Sequence, residues 1–259
     1  MLRRISRRLF GRPRRARAPA AADGPVPVWV DGRTGLAEAF RTLRANLSFS
    51  GPPETRTLLL VTSTAPDDGK STVVANLGGV LAQAGDRVLV VDCDLRKPTL
   101  HRMLAVPNHR GLTNVLVQRV PLEELLLDGP VPGLKVLTSG PVPPNPAELL
   151  GSPEMSDLLG RLREDYDTVL IDSPPLLAVA DAAVLAPLVD GVILVVSAWS
   201  ARVDMVQEAL EQLEKARARV LGVVLNRTRI PARDYYYYYY YYYYYRRGRE
   251  REEGPEVLL

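Results

Sequence analysis

TLLLVTSTAPDDGKSTVVAN, residues Thr57 to Asn76, holds a short apolar run, a polar loop ending in Gly69-Lys70-Ser71-Thr72, and the opening of a helical pattern. The apolar run predicts a buried strand and Val73-Val74-Ala75 the start of a helix, so the loop falls where a helix N-terminus offers unpaired N–H groups and a positive dipole end. Anions bind in such places. Gly69 lets the backbone approach a β-phosphate, Lys70 reaches β- and γ-oxygens, and the Ser71 hydroxyl suits a magnesium ion. The predicted nucleotide-facing set is Asp68, Gly69, Lys70, Ser71 and Thr72. Lys70 is expected to be solvated until nucleotide arrives. The first glycine of the common G-x-x-x-x-G-K-[ST] pattern is replaced by Thr64. A Gly-Lys-Ser tripeptide by itself also fits an ordinary strand-to-helix turn; the flanking strand and helix favour the phosphate loop.

A phosphate loop needs carboxylates for its magnesium, and two further stretches supply them. Arg87 to Lys97, RVLVVDCDLRK, is an apolar strand ending in Asp92 and Asp94. Residues two apart on a strand share a face, so these carboxylates point together and Cys93 points away. Asp167 to Pro175, DTVLIDSPP, is a second apolar strand, ending in Asp172. One aspartate at a strand end is ordinarily a turn or a cap. Three of them, each closing a buried strand, favour a metal site. The predicted magnesium set is Ser71, Asp92 and Asp172, and the predicted catalytic set is Lys70, Asp92, Asp94 and Asp172.

Ser63 to Thr72 (S-x-x-P-x-x-G-K-S-T), Asp92 to Arg96 (D-x-D-x-R) and Asp172 to Pro175 (D-S-P-P) resemble the Walker A, A′ and B motifs of the bacterial tyrosine kinases. The helix Glu38-Ala-Phe-Arg41-Thr-Leu-Arg44 resembles that family's E-x-x-R-x-x-R element. Pro143 to Leu150, PPNPAELL, resembles its P-P-N-P-x-E-L-L segment. The likeness spans about Leu36 to Arg229. It implies a P-loop three-layer αβα sandwich with a mostly parallel sheet, using ATP and Mg2+ to phosphorylate protein tyrosine, in capsular or exopolysaccharide synthesis. It further implies a homo-oligomer, with a ring as one form, and Glu38, Arg41 and Arg44 at the subunit contact; a solvated helix face with i,i+3 charge pairs is the plainer reading of those residues. A separate membrane activator of the polysaccharide co-polymerase type and a cognate tyrosine phosphatase are the implied partners. The implied location is cytoplasmic, peripheral at the inner face of the membrane through that activator. Asn226, at the end of the last predicted strand, Val220 to Leu225, occupies a position suggesting an amide contact to adenine; a turn-forming Asn is the simpler reading. Asp67 departs from the family, which commonly has Gly there. The rival reading is a non-catalytic, nucleotide-switched scaffold ATPase of the ParA/MinD type. Those carry a lysine near the loop start, where this chain has Ala65.

Composition bounds the rest. The 259 residues, 46% apolar, suffice for one sizeable α/β domain with tails. The single cysteine, Cys93, excludes an internal disulfide and suits a reducing compartment. No apolar run approaches the roughly 20 residues needed to span a bilayer. Net charge is +3, but eight arginines lie within the first twenty residues, leaving 25 basic against 30 acidic residues, a net −5, for the remainder. The basic character therefore belongs to an arm, and nucleic-acid binding is not implied. The arm is either inert or, with Leu2, Ile5, Leu9 and Phe10 at helical spacing, drawn to an anionic membrane surface.

The expected organisation is a basic arm over 1–27, a kinase domain over 28–230 and a flexible tail over 231–259. Within the domain, the helix Gly35 to Leu47 is expected to bury Leu36, Phe40, Leu43 and Leu47. Further helices are expected over Lys70 to Ala84, Leu112 to Leu127, Pro153 to Glu164, Asp181 to Leu188 and Asp204 to Arg217. The tail carries eleven consecutive tyrosines, Tyr235, Tyr236, Tyr237, Tyr238, Tyr239, Tyr240, Tyr241, Tyr242, Tyr243, Tyr244 and Tyr245. A run without alternation or stripe has no face to bury, so it reads as a low-complexity tail. The family resemblance makes it the kinase's own substrate. About 30 residues span roughly 30 Å r.m.s. with a contour near ~100 Å, enough to reach a neighbouring active site.

Overall fold

The computed structural model describes residues 35–49 and 57–228. The basic arm and the tyrosine run therefore lie outside the described residues. In chain order the elements are α1 (Gly35–Ser48), β1 (Thr57–Ser63), α2 (Lys70–Gln83), β2 (Val88–Asp92), α3 (Leu100–Met103), α4 (Leu112–Gln118), β3 (Leu127–Asp128), β4 (Leu134–Leu137), α5 (Pro146–Leu150), α6 (Pro153–Asp165), β5 (Thr168–Asp172), α7 (Asp181–Leu185), β6 (Gly191–Ser197), α8 (Val203–Lys215) and β7 (Val220–Asn226).

The seven strands form one sheet in the order β3-β4-β2-β5-β1-β6-β7. All neighbours run parallel except β3, which lies antiparallel on β4. A parallel sheet covered on both faces needs strands apolar on both sides, and β1, β2, β5 and β6 are buried almost throughout. Leu58 and Leu60 of β1 join one core layer with residues of α6, α7 and α8. Leu59 and Val61 join the other, with α1, α2 and α3. The three-layer sandwich expected from the motifs is the fold observed.

Helix α2 is apolar nearly all round and buried along most of its length. Gly78 lets it lie close to the sheet: a Cβ there would stand 2.9 Å from Val90 Cγ2. Val74 and Leu77 are fully buried, each contributing about 1.5–3 kcal/mol. Packing therefore anchors the helix and holds its N-terminus still for the loop before it. Strand order completes the arrangement, because β2, β5 and β1 are adjacent and Asp92 is paired in register with Asp172.

Several local expectations needed correction. The helix expected over Leu112 to Leu127 ends at Gln118, with Arg119 in the left-handed region at φ 55°. Pro121 follows two residues later, and a proline disfavours helical backbone in the residue before it, here Val120. A single 3-10 turn at Leu122–Glu124 then leads to β3. In α1 the inner side is Ala37 and Phe40, with Leu43 and Leu47 partly buried, whereas Leu36 is 46% exposed. Asp94 lies just past the end of β2. The cap of α6 is as expected: the Met155 N–H donates to Ser152 Oγ, and Pro153 opens the helix.

Candidate active site

Gly69 precedes α2 in the left-handed region, φ 95°, where a side chain would be strained. A Cβ there would also lie 2.1 Å from Asn226 Nδ2. The Asn226 amide folds over the loop and donates to the Asp68 carbonyl at 2.9 Å. Past Gly69, the N–H groups of Lys70, Ser71 and Thr72 occupy the first helical turn, where no intrahelical acceptor exists. The loop read from the sequence as phosphate-binding therefore presents unpaired N–H groups at the start of α2.

The Asp68 side chain has partners within the loop itself. Its carboxylate is turned inward, accepting from Thr64 Oγ1 at 2.8 Å and from the Ala65 N–H at 2.9 Å. The side chain is a brace across the loop. Asp67 is exposed and holds a positive φ of 63°. This is the position where the resemblance leads one to expect Gly, and the backbone shows why.

The three strand-end carboxylates do converge on the loop. Ser71 Oγ donates to Asp172 Oδ2 at 2.5 Å. Lys70 Nζ donates to Asp94 Oδ2 at 2.9 Å and lies 3.8 Å from Asp172 Oδ1. Asp92 accepts from the N–H groups of Asp94 and Leu100, at 3.2 and 3.3 Å. Asp172 and Asp92 are fully buried and Asp94 nearly so. Lys70 is not solvated, contrary to expectation: its side chain is 12% exposed, because the carboxylates draw it inward.

Charge is unbalanced here, with three carboxylates around one ammonium. Burial, then the charges of Asp172 and Asp94, push Asp92 well above the usual carboxylate range. Burial likewise raises Asp172 to about 6, against the pull of Lys70 and the Ser71 hydroxyl. For Lys70, burial disfavours the charged form, but Asp172 and Asp94 together outweigh it and the pKa rises. Asp172 Oδ1 is buried without a hydrogen-bond partner. A buried oxygen lacking a partner, beside a hydroxyl and excess negative charge, fits a hard cation such as Mg2+, which takes oxygen ligands and offsets carboxylate charge.

Reading the sequence missed the partner of Arg96. Its guanidinium grips Asp181, Nε to Oδ2 at 3.0 Å and Nη2 to Oδ1 at 2.9 Å. Nothing in the local pattern around Asp181 signals this, since an acid at a helix start is commonplace. The helix residues Glu38 and Arg41 pair with each other at 2.8 Å within α1, and Arg44 Nη1 donates to the Val80 carbonyl at 3.4 Å.

With that geometry established, likeness to known proteins is informative. The AAA domain family AAA_31 matches residues 67–221. Over 200 residues the chain is 40% identical to the tyrosine-protein kinase YwqD of Bacillus subtilis, covering 77% of this chain and 84% of that protein. The chain belongs to the bacterial tyrosine-protein kinase family. Among solved structures it is similar to the chimerical protein CapA2B2, with TM-score 0.75, 38% identity, and coverage of 78% of this chain and 89% of that one. The kinase domain of the Escherichia coli tyrosine kinase ETK gives TM-score 0.70 and 32% identity, covering 80% and 91%. The septum site-determining protein MinD of Pyrococcus horikoshii, complexed with Mg-ADP, is more distant at TM-score 0.57 and 25% identity, covering 69% and 75%. Among the described residues no helix is long and apolar enough to cross a membrane.

Proposed function

We propose that this chain transfers phosphate from ATP to protein tyrosine, including Tyr235 to Tyr245 of its own tail, acting in trans between subunits. The observation that carries the reading is the convergence of a phosphate loop with a buried, negatively unbalanced cluster of Asp92, Asp94 and Asp172 around one lysine, in a chain of this family. Ser71 and Asp172, with Asp92, are the oxygens suited to hold Mg2+; the loop N–H groups of Gly69 to Thr72 hold the phosphates; in this reading the Asn226 amide, which donates to the Asp68 carbonyl and accepts from the Arg227 N–H, exchanges one of those bonds for the base. Bound as its magnesium complex, ATP supplies the γ-phosphoryl group.

Lys70 is held by Asp94 and Asp172 within reach of the loop, and its positive charge complements phosphate oxygens. Asp94 is then the carboxylate left to face the acceptor and orient the tyrosine hydroxyl. Carboxylates are far weaker bases than phenolates, so taking the hydroxyl proton beforehand is steeply uphill. In a loose transition state the proton moves late, so orientation suffices. The wider setting in this reading is polysaccharide synthesis or export, with a membrane activator and a phosphatase in separate chains. A ring formed through Glu38, Arg41 and Arg44, and an arm over 1–27 that adds affinity for anionic lipid, complete it.

The test is incubation of the purified full chain with labelled ATP and Mg2+, with and without a membrane activator, followed by phosphotyrosine mapping. Phosphate on Tyr235 to Tyr245 from the wild type, and none from a Lys70→Met variant, is expected. Protein that binds Mg-ATP but forms no phosphotyrosine under either condition would favour the nucleotide-switched scaffold.

A further inference from the structure

Asp181 is a fully buried acid far in sequence from the phosphate loop, at the first residue of α7. Both its oxygens are taken by the Arg96 guanidinium, whose side chain is 42% exposed. The two residues belong to the two segments that carry the site. Arg96 lies in the turn leaving β2, two residues after Asp94, and Asp181 closes the segment that leaves β5 after Asp172. At their base the segments are joined by the Cys93 N–H donating to the Asp172 carbonyl at 2.8 Å. At their far end the Arg96–Asp181 fork joins them again.

The turn between these ties carries Asp94. Its backbone N–H reaches Asp92 Oδ1, and its Oδ1 accepts from the Lys97 N–H at 3.0 Å. Those bonds shape the turn internally, and Lys70 Nζ, 2.9 Å from Asp94 Oδ2 and 3.8 Å from Asp172 Oδ1, holds the carboxylate itself toward the β5 side; the backbone of the turn is tied to that side by the Cys93 bond and the Arg96–Asp181 fork. Asp172, by contrast, is secured by its strand register and by Ser71. We propose that Arg96 and Asp181 are positioning residues for phosphoryl transfer: their two-pronged bond fixes the turn that carries Asp94, and so, together with Lys70, sets the place of Asp94 relative to Asp172. The proposal rests on the reading of Asp94 as the group that orients the acceptor hydroxyl. A planar guanidinium holds a carboxylate at two points and so fixes rotation as well as distance, which a lysine ammonium cannot do.

Arg96→Lys and Asp181→Asn, each in the full chain, are expected to lower kcat for tail phosphorylation about a hundredfold, the scale of an ångström-sized misplacement. Mg-ADP affinity by calorimetry should stay within about twofold, because Asp172 and the loop are held separately. Asp181→Asn keeps the side-chain shape, so it serves if Arg96→Lys fails to fold. The deciding measurement is a double-mutant cycle with Asp94→Asn. If Arg96 acts through Asp94, adding Arg96→Lys or Asp181→Asn to Asp94→Asn changes kcat by no more than about twofold. A full multiplicative loss in that background overturns the proposal alone. Nucleotide affinity falling in step with kcat also overturns it, since that signals general collapse of the site. An unchanged kcat in Asp94→Asn removes the reading of Asp94 itself, and the proposal with it.

Discussion

At the scale of single residues, the site is organised around excess negative charge held out of water. Asp172 has a pKa near 6 in the folded chain against 3.8 ordinarily, raised first by burial. A raised carboxylate binds its proton more tightly when folded, so its cost to stability is absent below about pH 4 and complete above about pH 6, roughly 3 kcal/mol in all. Asp172→Asn is therefore expected to stabilise the nucleotide-free protein at pH 7.5 and to give almost no gain at pH 4. Urea denaturation of both proteins at the two pH values checks this, and the same variant should lose Mg-dependent nucleotide binding. Asp67 offers an independent probe. Its left-handed backbone costs about 1 kcal/mol in a non-glycine residue, and its exposed carboxylate stands beside the phosphate loop. Asp67→Gly is expected to tighten Mg-ATP binding several-fold in low salt and less so in high salt. Equal affinities by calorimetry at both ionic strengths would show that the carboxylate is not felt there.

Among the elements, α2 and α1 make contrasting cases. Helix α2 lies tight on the sheet at Gly78, so Gly78→Val overpacks Val90 and is expected to cost about 1–3 kcal/mol or more. On α6, nothing stands within 4 Å of a Cβ at Gly160, and Gly160→Ala should stabilise by about 0.5–1 kcal/mol. Thermal melts of the two variants should move in opposite directions. Helix α1 instead carries a half-exposed Glu38–Arg41 pair and an Arg44 contact to a carbonyl of α2. Such an i,i+3 pair is worth only a few tenths of a kcal/mol within one chain. Arg41→Ala with Arg44→Ala should consequently leave the monomer folded while reducing assembly mass in light scattering. An unchanged mass would remove these residues from the proposed ring contact.

For the whole molecule, the proposed tail phosphorylation would couple charge to the proposed assembly. Each phosphotyrosine adds about −1.5 to −2 charges, so four reverse the sign of a chain that starts at +3. Tails gathered at one ring would then repel one another and the acidic remainder of the chain. Mass measured before ATP, after ATP and after phosphatase is expected to be high, low and high again. A constant mass through all three states would mean that phosphorylation does not drive disassembly.

The sequence by itself determined the parts: a strand, a phosphate loop and a helix from Thr57 to Asn76, and two more apolar strands ending in Asp92 and Asp172. Those features are written in patterns of twenty residues or fewer, where periodicity and the Gly-Lys-Ser spacing carry the physics. It erred at Leu112 to Leu127 because an apolar pattern suggested continuous helix through Pro121. Tertiary structure alone decided how the parts meet. The order β2-β5-β1 places the two strand-end aspartates side by side, which neither strand announces. It draws Lys70 out of solvent, turns Asp68 inward, lays Asn226 over a glycine 157 positions earlier and closes Arg96 on an acid 85 positions later. Each of these is a contact between segments brought together by sheet topology, and the strength of burial that makes it matter exists only once the surrounding layers have excluded water.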